Sequence, residues 1–313
     1  MEIIHNEKFI KTGLKYSEMA VVISSAFLLA YMTLDITMLK VQIPDRLFMI
    51  MQIVLTLAVM VRILVQAKDR MLWAGIGSGI LYYLSWNFYT FQLMALMSVA
   101  YVGISYRKIL KAYLIGVGLM VTGTVLLALA GGVTNLIYMK DGFLRSSMGI
   151  IFPTDFASII LFILLTLWVY WEELPDEATF ILPVFSTWVA WYLARSYTST
   201  LCSLLFLAAV VYRVFEKRII GKKKILLWMR KTVDVLCVIM FPALMILMFV
   251  LMAAYARGYS FAYVINNLMS GRVRLSLDAL RENGISLFGH AISQAGAGGR
   301  DRKSTRSELQ SRI

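Results

Sequence analysis

Residues 232–256 read TVDVLCVIMFPALMILMFVLMAAYA, and between Asp234 and Arg257 the run holds no Asp, Glu, Lys or Arg. A helix needs roughly 20 residues to cross the hydrocarbon of a bilayer, so this stretch is long enough and apolar enough to span one. Runs of the same kind recur outward from it at 198–214, 179–194, 148–170 and 109–130, and again at 47–66 and 19–39. Two shorter runs, 71–85 and 90–105, flank Trp86-Asn87-Phe88-Tyr89 and are counted as separate spans. The composition agrees with a membrane chain. Of 313 residues, 60% are hydrophobic and 16% charged, against about 45–50% and about 25% in soluble domains; the mean hydropathy is +0.74. With 5 Pro and 20 Gly, disorder and a collagen repeat are excluded as well. Cys202 and Cys237 both sit in apolar runs and read as small buried hydrophobes.

The expected fold class is therefore all-α: a polytopic membrane helical bundle of about nine transmembrane helices with an outer-face loop region. The chain divides into a transmembrane domain, 1–256, and an extracytoplasmic loop region, 257–290, in which 259–268 is short and amphipathic and 276–287 suits a brief helix. The Ala-, Gly-, Ser- and Arg-rich stretch 291–313 is expected to be disordered, and the chain is expected to stop early, as after a frameshift or truncation.

Charge placement orients the bundle. The 31 Lys+Arg exceed the 18 Asp+Glu by +13. With a cytoplasmic amino terminus, the inside loops hold Lys8, Lys11, Lys15, Arg62, Lys68, Arg70, Arg107, Lys108, Lys111 and the dense basic segment 213–231. The outside loops before the ninth span hold only Lys40, Arg46, Lys140, Arg145 and Arg195. The positive-inside rule favours this orientation, and the basic loops suit anionic lipid head groups rather than nucleic acid. Merging the third and fourth spans would place the densest basic cluster outside, so the two are kept apart.

Ionisable residues on the outer side are the candidate site. Arg145 directly precedes an apolar run; its guanidinium is a fixed fork suited to two phosphate oxygens, or an anchor snorkelling to head groups. Arg195 stands between two apolar runs with almost no loop around it, where an arginine either lines a cavity or anchors at the boundary. Arg272 and Arg274 follow Gly271, and a helix starting there would put Arg274 and Asp278 on one face; a solvated basic loop is the alternative. His290 is either a proton acceptor or a solvated loop histidine. Asp155, after Pro153-Thr154, reads as a residue near the start of a helix. Gly75-Ile76-Gly77-Ser78-Gly79 lacks the Lys-Ser/Thr of a phosphate loop, and the sequence contains no His-Glu-x-x-His. No cofactor and no metal is expected.

Three stretches carry a resemblance: Arg145-Ser146-Ser147-Met148-Gly149-Ile150-Ile151-Phe152-Pro153-Thr154; Ala194-Arg195-Ser196-Tyr197-Thr198-Ser199; and Ser270-Gly271-Arg272 through Leu287-Phe288-Gly289-His290. In order and spacing they resemble motifs of the O-antigen polymerase/ligase superfamily, and among its members the capsular and exopolysaccharide repeat-unit polymerases of Gram-positive bacteria. Thr154 stands where the family has Asn, and Ala194 where it has Ser. The resemblance implies polymerisation of oligosaccharide repeats carried on polyprenyl pyrophosphate, at the outer face of the cell membrane and without a metal. It implies that Arg145 and Arg195 hold the pyrophosphate, that Arg272 meets developing charge with Arg274 as helper, and that His290 serves as base. Other polysaccharide-export proteins are implied partners. A lipid-linked oligosaccharide flippase, or ligase-like transfer to another acceptor, remains the alternative, and truncation leaves activity of this chain open.

Overall fold

The computed structural model describes residues 2–39, 41, 44–65, 73, 75–77, 80, 89–140, 142–171, 174–218, 223–269 and 271–284. Its helices are α1 (Glu2–Leu34), α2 (Asp45–Val65), α3 (Tyr89–Tyr101) and α4 (Tyr106–Leu129), the last with a π-helical segment at Leu114–Gly118. A hairpin of β1 (Ile137–Lys140) and β2 (Phe143–Ser146) follows. Then come α5 (Pro153–Tyr170), α6 (Asp176–Trp188) continued by a π-helical turn at Val189–Leu193, α7 (Tyr197–Arg218), α8 (Lys223–Ala256), α9 (Ser260–Leu268) and α10 (Arg272–Asn283).

Five helices among the described residues are long and apolar enough to cross a membrane: Thr12–Leu34, Tyr106–Leu129, Pro153–Tyr170, Tyr197–Glu216 and Val238–Ala256. Ala178–Leu193 is apolar but shorter. The protein is a membrane-embedded helical bundle. The nine spans read from the sequence exceed these five. α2, at 21 residues, has the length of a span. The fourth expected span is a helix of only 13 residues, and the third lies mostly outside the described residues. The sixth begins at Pro153, not at residue 148, because 148–152 are held in a turn described below. The brief helix expected at 276–287 starts earlier, at Arg272.

Two features of the packing fit a lipid solvent. Large apolar side chains face outward along the helices, among them Leu57, Leu119, Leu205 and Val238, the last 75% exposed; soluble proteins do not leave such continuous apolar surface bare. Hydroxyls within the helices turn back on their own backbone: Thr33 donates to the Leu29 carbonyl, Thr124 to Met120 and Thr166 to Phe162. These three hydroxyls are thus satisfied without water, as suits a hydrocarbon surrounding.

The bundle has several packed centres. Val21 and Leu28 of α1 meet Leu55 of α2 and Leu93 of α3. Val121 of α4, Phe156 of α5 and Val189 form a second centre, to which Ile150 belongs. Leu161 of α5 packs with Phe206 and Val210 of α7. Near the end of α8, Leu251 and Met252 pack against Val273 and Leu277 of α10. The π-helical segment of α4 lies close against α1: a Cβ added at Gly116 would fall on the carbonyl oxygen of Ala26, so only glycine allows this approach.

Candidate functional site

α4 ends, α5 begins, the Val189–Leu193 turn ends and α7 begins at one end of the bundle, and the hairpin sits there. In sequence Asp141-Gly142 separates the paired residues Lys140 and Phe143, and Gly142 has φ +77°. Asp-Gly between paired strands is a strong hairpin signal that the sequence reading left as plain loop. Tyr138 pairs with Arg145 and Lys140 with Phe143, so Tyr138, Arg145 and Phe143 share one strand face. The opposite face carries Ile137, Met139 and Leu144, all exposed.

The inner face docks the hairpin. The Tyr138 hydroxyl donates to the Ile151 carbonyl at 2.7 Å, and burial, with the nearby charge of Asp155, pushes its phenol above the ordinary range. Arg145 Nε donates to the Ala194 carbonyl at 2.7 Å. The base of the hairpin is held by Asn135, whose Oδ1 accepts from Ser146 Oγ at 3.0 Å and from the Met148 amide at 2.8 Å. Beyond it, Met148 and Gly149 both have positive φ, 48° and 80°. Gly149 lies against α4: a Cβ there would stand 2.9 Å from Thr124 Cγ2 and 3.1 Å from Ala128 Cβ. The segment then bridges to the end of α1. Met38 donates to the Gly149 carbonyl and Ile151 to the Ile36 carbonyl, both at 2.8 Å, around the Thr37–Ile150 pair. Pro153 opens α5, where its missing N–H costs no helical bond. The spacing Arg145, Gly149, Pro153 thus has a local physical cause: a reaching arginine, a close approach and a helix start.

Arg195 follows the π-helical turn and is itself left-handed, with φ 47°. That conformation is uncommon for a residue with a side chain and costs of order 1 kcal/mol or more. Its guanidinium lies 4.7 Å from the ring centre of Phe143, 5.7 Å from Trp191 and 5.8 Å from Tyr192. Three ring faces hold the cation by their quadrupoles. Among the described residues the Arg195 side chain makes no hydrogen bond or ion pair, so its N–H donors are not used by those neighbours. Phe143 and Arg145, two residues apart on β2, reach Arg195 and the carbonyl just before it. The structure therefore brings Arg145 and Arg195 together. Ala157, Ala190 and Ala194 pack closely beneath them.

Below Arg195 a series of hydroxyls runs between α5, α6 and α7. Ser196 and Ser199 share a hydrogen bond at 2.9 Å, Ser158 and Ser199 one at 3.4 Å, and Ser186 and Ser203 one at 2.8 Å. These bonds tie the three helices laterally where apolar contacts alone give no preference over lipid.

Arg272 and Arg274 are exposed on α10, which packs against α8 and α9. The contacts uniting Arg145 and Arg195 do not extend to them. Arg274 donates its backbone N–H to Asn266 Oδ1 at 2.9 Å; it and Asp278 share a helix face without forming an ion pair. His290 and the stretch 291–313 lie outside the described residues. No cluster of three or more His, Cys, Asp or Glu able to hold a metal ion occurs among those described.

Compared with known protein families, curated proteins and solved structures, the chain finds no match.

Sequence reasoning missed the aromatic rings around Arg195, although Trp191 and Tyr192 adjoin it; nothing in the sequence joins Phe143 to them. It also misplaced Arg62, counted among cytoplasmic loop charges. The structure buries it to 2% exposure. Nη1 donates to the Ala100 carbonyl at 2.6 Å and Nη2 donates to the Val102 carbonyl, so the guanidinium closes the end of α3, where helix carbonyls lack partners.

Proposed function

We propose that the protein polymerises oligosaccharide repeats carried on polyprenyl pyrophosphate, with Arg145 and Arg195 gripping the pyrophosphate as it leaves. The observation that carries this reading is Arg195: a strained, ring-held arginine beside a second arginine, with no hydrogen bond to a described neighbour, at one end of an apolar bundle. Pyrophosphate departs readily once its charge is neutralised, and fixed guanidinium groups supply paired donors for that purpose. The resemblance of the three motifs to repeat-unit polymerases supports the same reading. In it the hairpin end faces outward from the cell membrane and the amino terminus is cytoplasmic. The opposite end, with Lys15, Arg107, Lys108 and Lys111, agrees with the positive-inside rule. In the same reading Arg272 meets developing charge or a sugar with Arg274 as its helper, and His290 serves as base, the roles that the resemblance implies.

The test is the rate of polymer formation from lipid-linked repeats in membranes containing the protein, normalised to protein amount. Lysine at 195 keeps the charge and its attraction to the rings but not the two parallel donors. Losing one charge-assisted bond made in the transition state costs about 1.5–3 kcal/mol, or roughly ten- to a hundred-fold in rate. Arg195→Lys is therefore expected to lose at least about ten-fold, while Arg46→Lys, which no motif touches, keeps its rate. Equal rates for Arg195→Lys and the parent would leave Arg195 as a membrane anchor.

A further inference from the structure

The chain leaves α8 by a defined turn and forms α9 at once. Gly258, with φ +80°, ends α8: its amide donates to the Tyr255 carbonyl and that of Tyr259 to the Ala254 carbonyl, both at 3.1 Å. α9 then lies back against the final turns of α8. The ring centres of Tyr255 and Tyr263 stand 4.6 Å apart, and Ile265 and Met269 pack on the cluster of Leu251, Met252, Val273 and Leu277. Leu251, Met252 and Tyr255 belong to Val238–Ala256, one of the five helices among the described residues able to cross a membrane. The level of α9 is therefore the end of the hydrocarbon, beside the head groups.

α9 shows three faces. Ala262 and Asn266, four residues apart, are buried and turn toward the protein with Ile265. Asn266 Oδ1 accepts from the Arg274 amide at 2.9 Å and its carbonyl from the Gly271 amide at 2.7 Å, which ties α9 to the start of α10. Phe261, Val264 and Leu268, spaced i, i+3 and i+7, form an apolar stripe on one flank and are 52%, 60% and 69% exposed. The other flank carries Ser260, Tyr263 and Asn267, all exposed. Water disfavours the first flank and hydrocarbon the second. A boundary between the two media satisfies both. A protein partner fits less well, because three side chains fall far short of the roughly 800 Å² per partner that a specific interface buries.

We propose that α9 is an interfacial helix lying on the bilayer, with Phe261, Val264 and Leu268 sunk into the boundary between head groups and acyl chains and Ser260, Tyr263 and Asn267 turned to water. Arg257, exposed in the turn before α9, then reaches the lipid phosphates. The inference stands independently of the polymerase reading, because it rests on α8, α9 and α10 alone.

The test measures depth. Cys202 and Cys237 are replaced by alanine in the full chain, and a nitroxide is attached at Phe261→Cys, Leu268→Cys or Asn267→Cys in turn. Each protein is reconstituted in vesicles of phosphatidylglycerol and phosphatidylcholine. Collision of the label with oxygen, which concentrates in hydrocarbon, is compared with collision with a water-soluble nickel chelate, and the ratio is calibrated with lipids labelled at known depths. Labels at 261 and 268 are expected about 5–10 Å below the head groups. The label at 267 is expected to favour the chelate and to read shallower by about 5 Å or more, half the width of a helix with its side chains. All three positions are exposed, and a monodisperse elution profile confirms folding. Val264→Cys and Ser260→Cys stand in for any variant on their respective flanks that does not elute as the parent. The proposal is overturned if 261 and 268 meet the chelate as freely as 267 does, or if all three read the same depth. It is overturned equally if the labels at 261 and 268 meet neither reagent, which would mean that another protein segment or a second copy covers the stripe.

Discussion

Alanine at Gly149 probes whether the segment after the hairpin is seated on α4 as described. Two costs add. At φ +80° an alanine pays the left-handed penalty of about 1–2 kcal/mol. Its Cβ would also sit 2.9 Å from Thr124 Cγ2, 3.1 Å from Ala128 Cβ and 3.2 Å from the Thr124 carbonyl, and overpacking of that kind costs about 1–3 kcal/mol. The expected loss is about 2–5 kcal/mol. Gly142 isolates the first contribution, since it has φ +77° but nothing within 4 Å of an added Cβ; Gly142→Ala should lose only about 1–2 kcal/mol. Thr124→Ser isolates the second. It removes Cγ2 while keeping the hydroxyl that donates to the Met120 carbonyl at 2.8 Å, so Gly149→Ala/Thr124→Ser should recover part of the loss. The assay is the temperature at which half the detergent-solubilised protein leaves its monodisperse elution peak. The expected order is parent, Gly142→Ala, the double variant, then Gly149→Ala. If Gly149→Ala melts no lower than Gly142→Ala, the close approach to α4 is refuted.

Further outcomes are expected elsewhere. Single cysteines placed at Lys140 and Lys223 should label from outside and inside intact cells respectively, and labelling of residue 223 from outside would overturn the proposed orientation. Arg62→Met removes both bonds that close α3 and should lose about 2–5 kcal/mol in the same thermal assay; an unchanged melting temperature would mean the guanidinium is not holding those carbonyls. Tyr138→Phe deletes the bond to Ile151, about 1 kcal/mol near neutral pH. Because the folded phenol keeps its proton where the unfolded one, with a pKa of about 10, has lost it, the parent loses stability as pH rises above about 10 and until its own raised value is passed. The variant should show a shallower fall across that window, measured by melting at stepped pH.

The membrane class was readable from the sequence because it depends on length and composition, which periodic apolar runs such as 232–256 display directly. Helix starts were less so. Residues 148–152 are as apolar as the span they precede, yet backbone bonds to Ile36 and Met38 hold them in a turn, and those partners lie far away in the chain. The hairpin carried a local signal in Asp141-Gly142 that apolar counting passes over. Arg145 and Arg195 were legible as charges out of place among apolar runs, whereas the surroundings of Arg195 depend on a strand that brings Phe143 beneath it. Arg62 illustrates the converse: a cation within an apolar run satisfied by carbonyls at the end of another helix, information that resides in neither segment alone.

The Thr37–Ile150 bridge has a consequence for how the chain is assembled. Its two strands are made far apart in time: when the end of α1 leaves the ribosome, the residues that will pair with it do not yet exist. Until 149–151 arrive, the Ile36 carbonyl and the Met38 amide have only water as partner, so this segment must wait at the membrane surface rather than within the hydrocarbon. Closing so long a loop carries an entropic cost that local helix formation does not. Pairing of the end of α1 with the start of α5 therefore has to wait until the chain between them has been made, and it locks those two helices together.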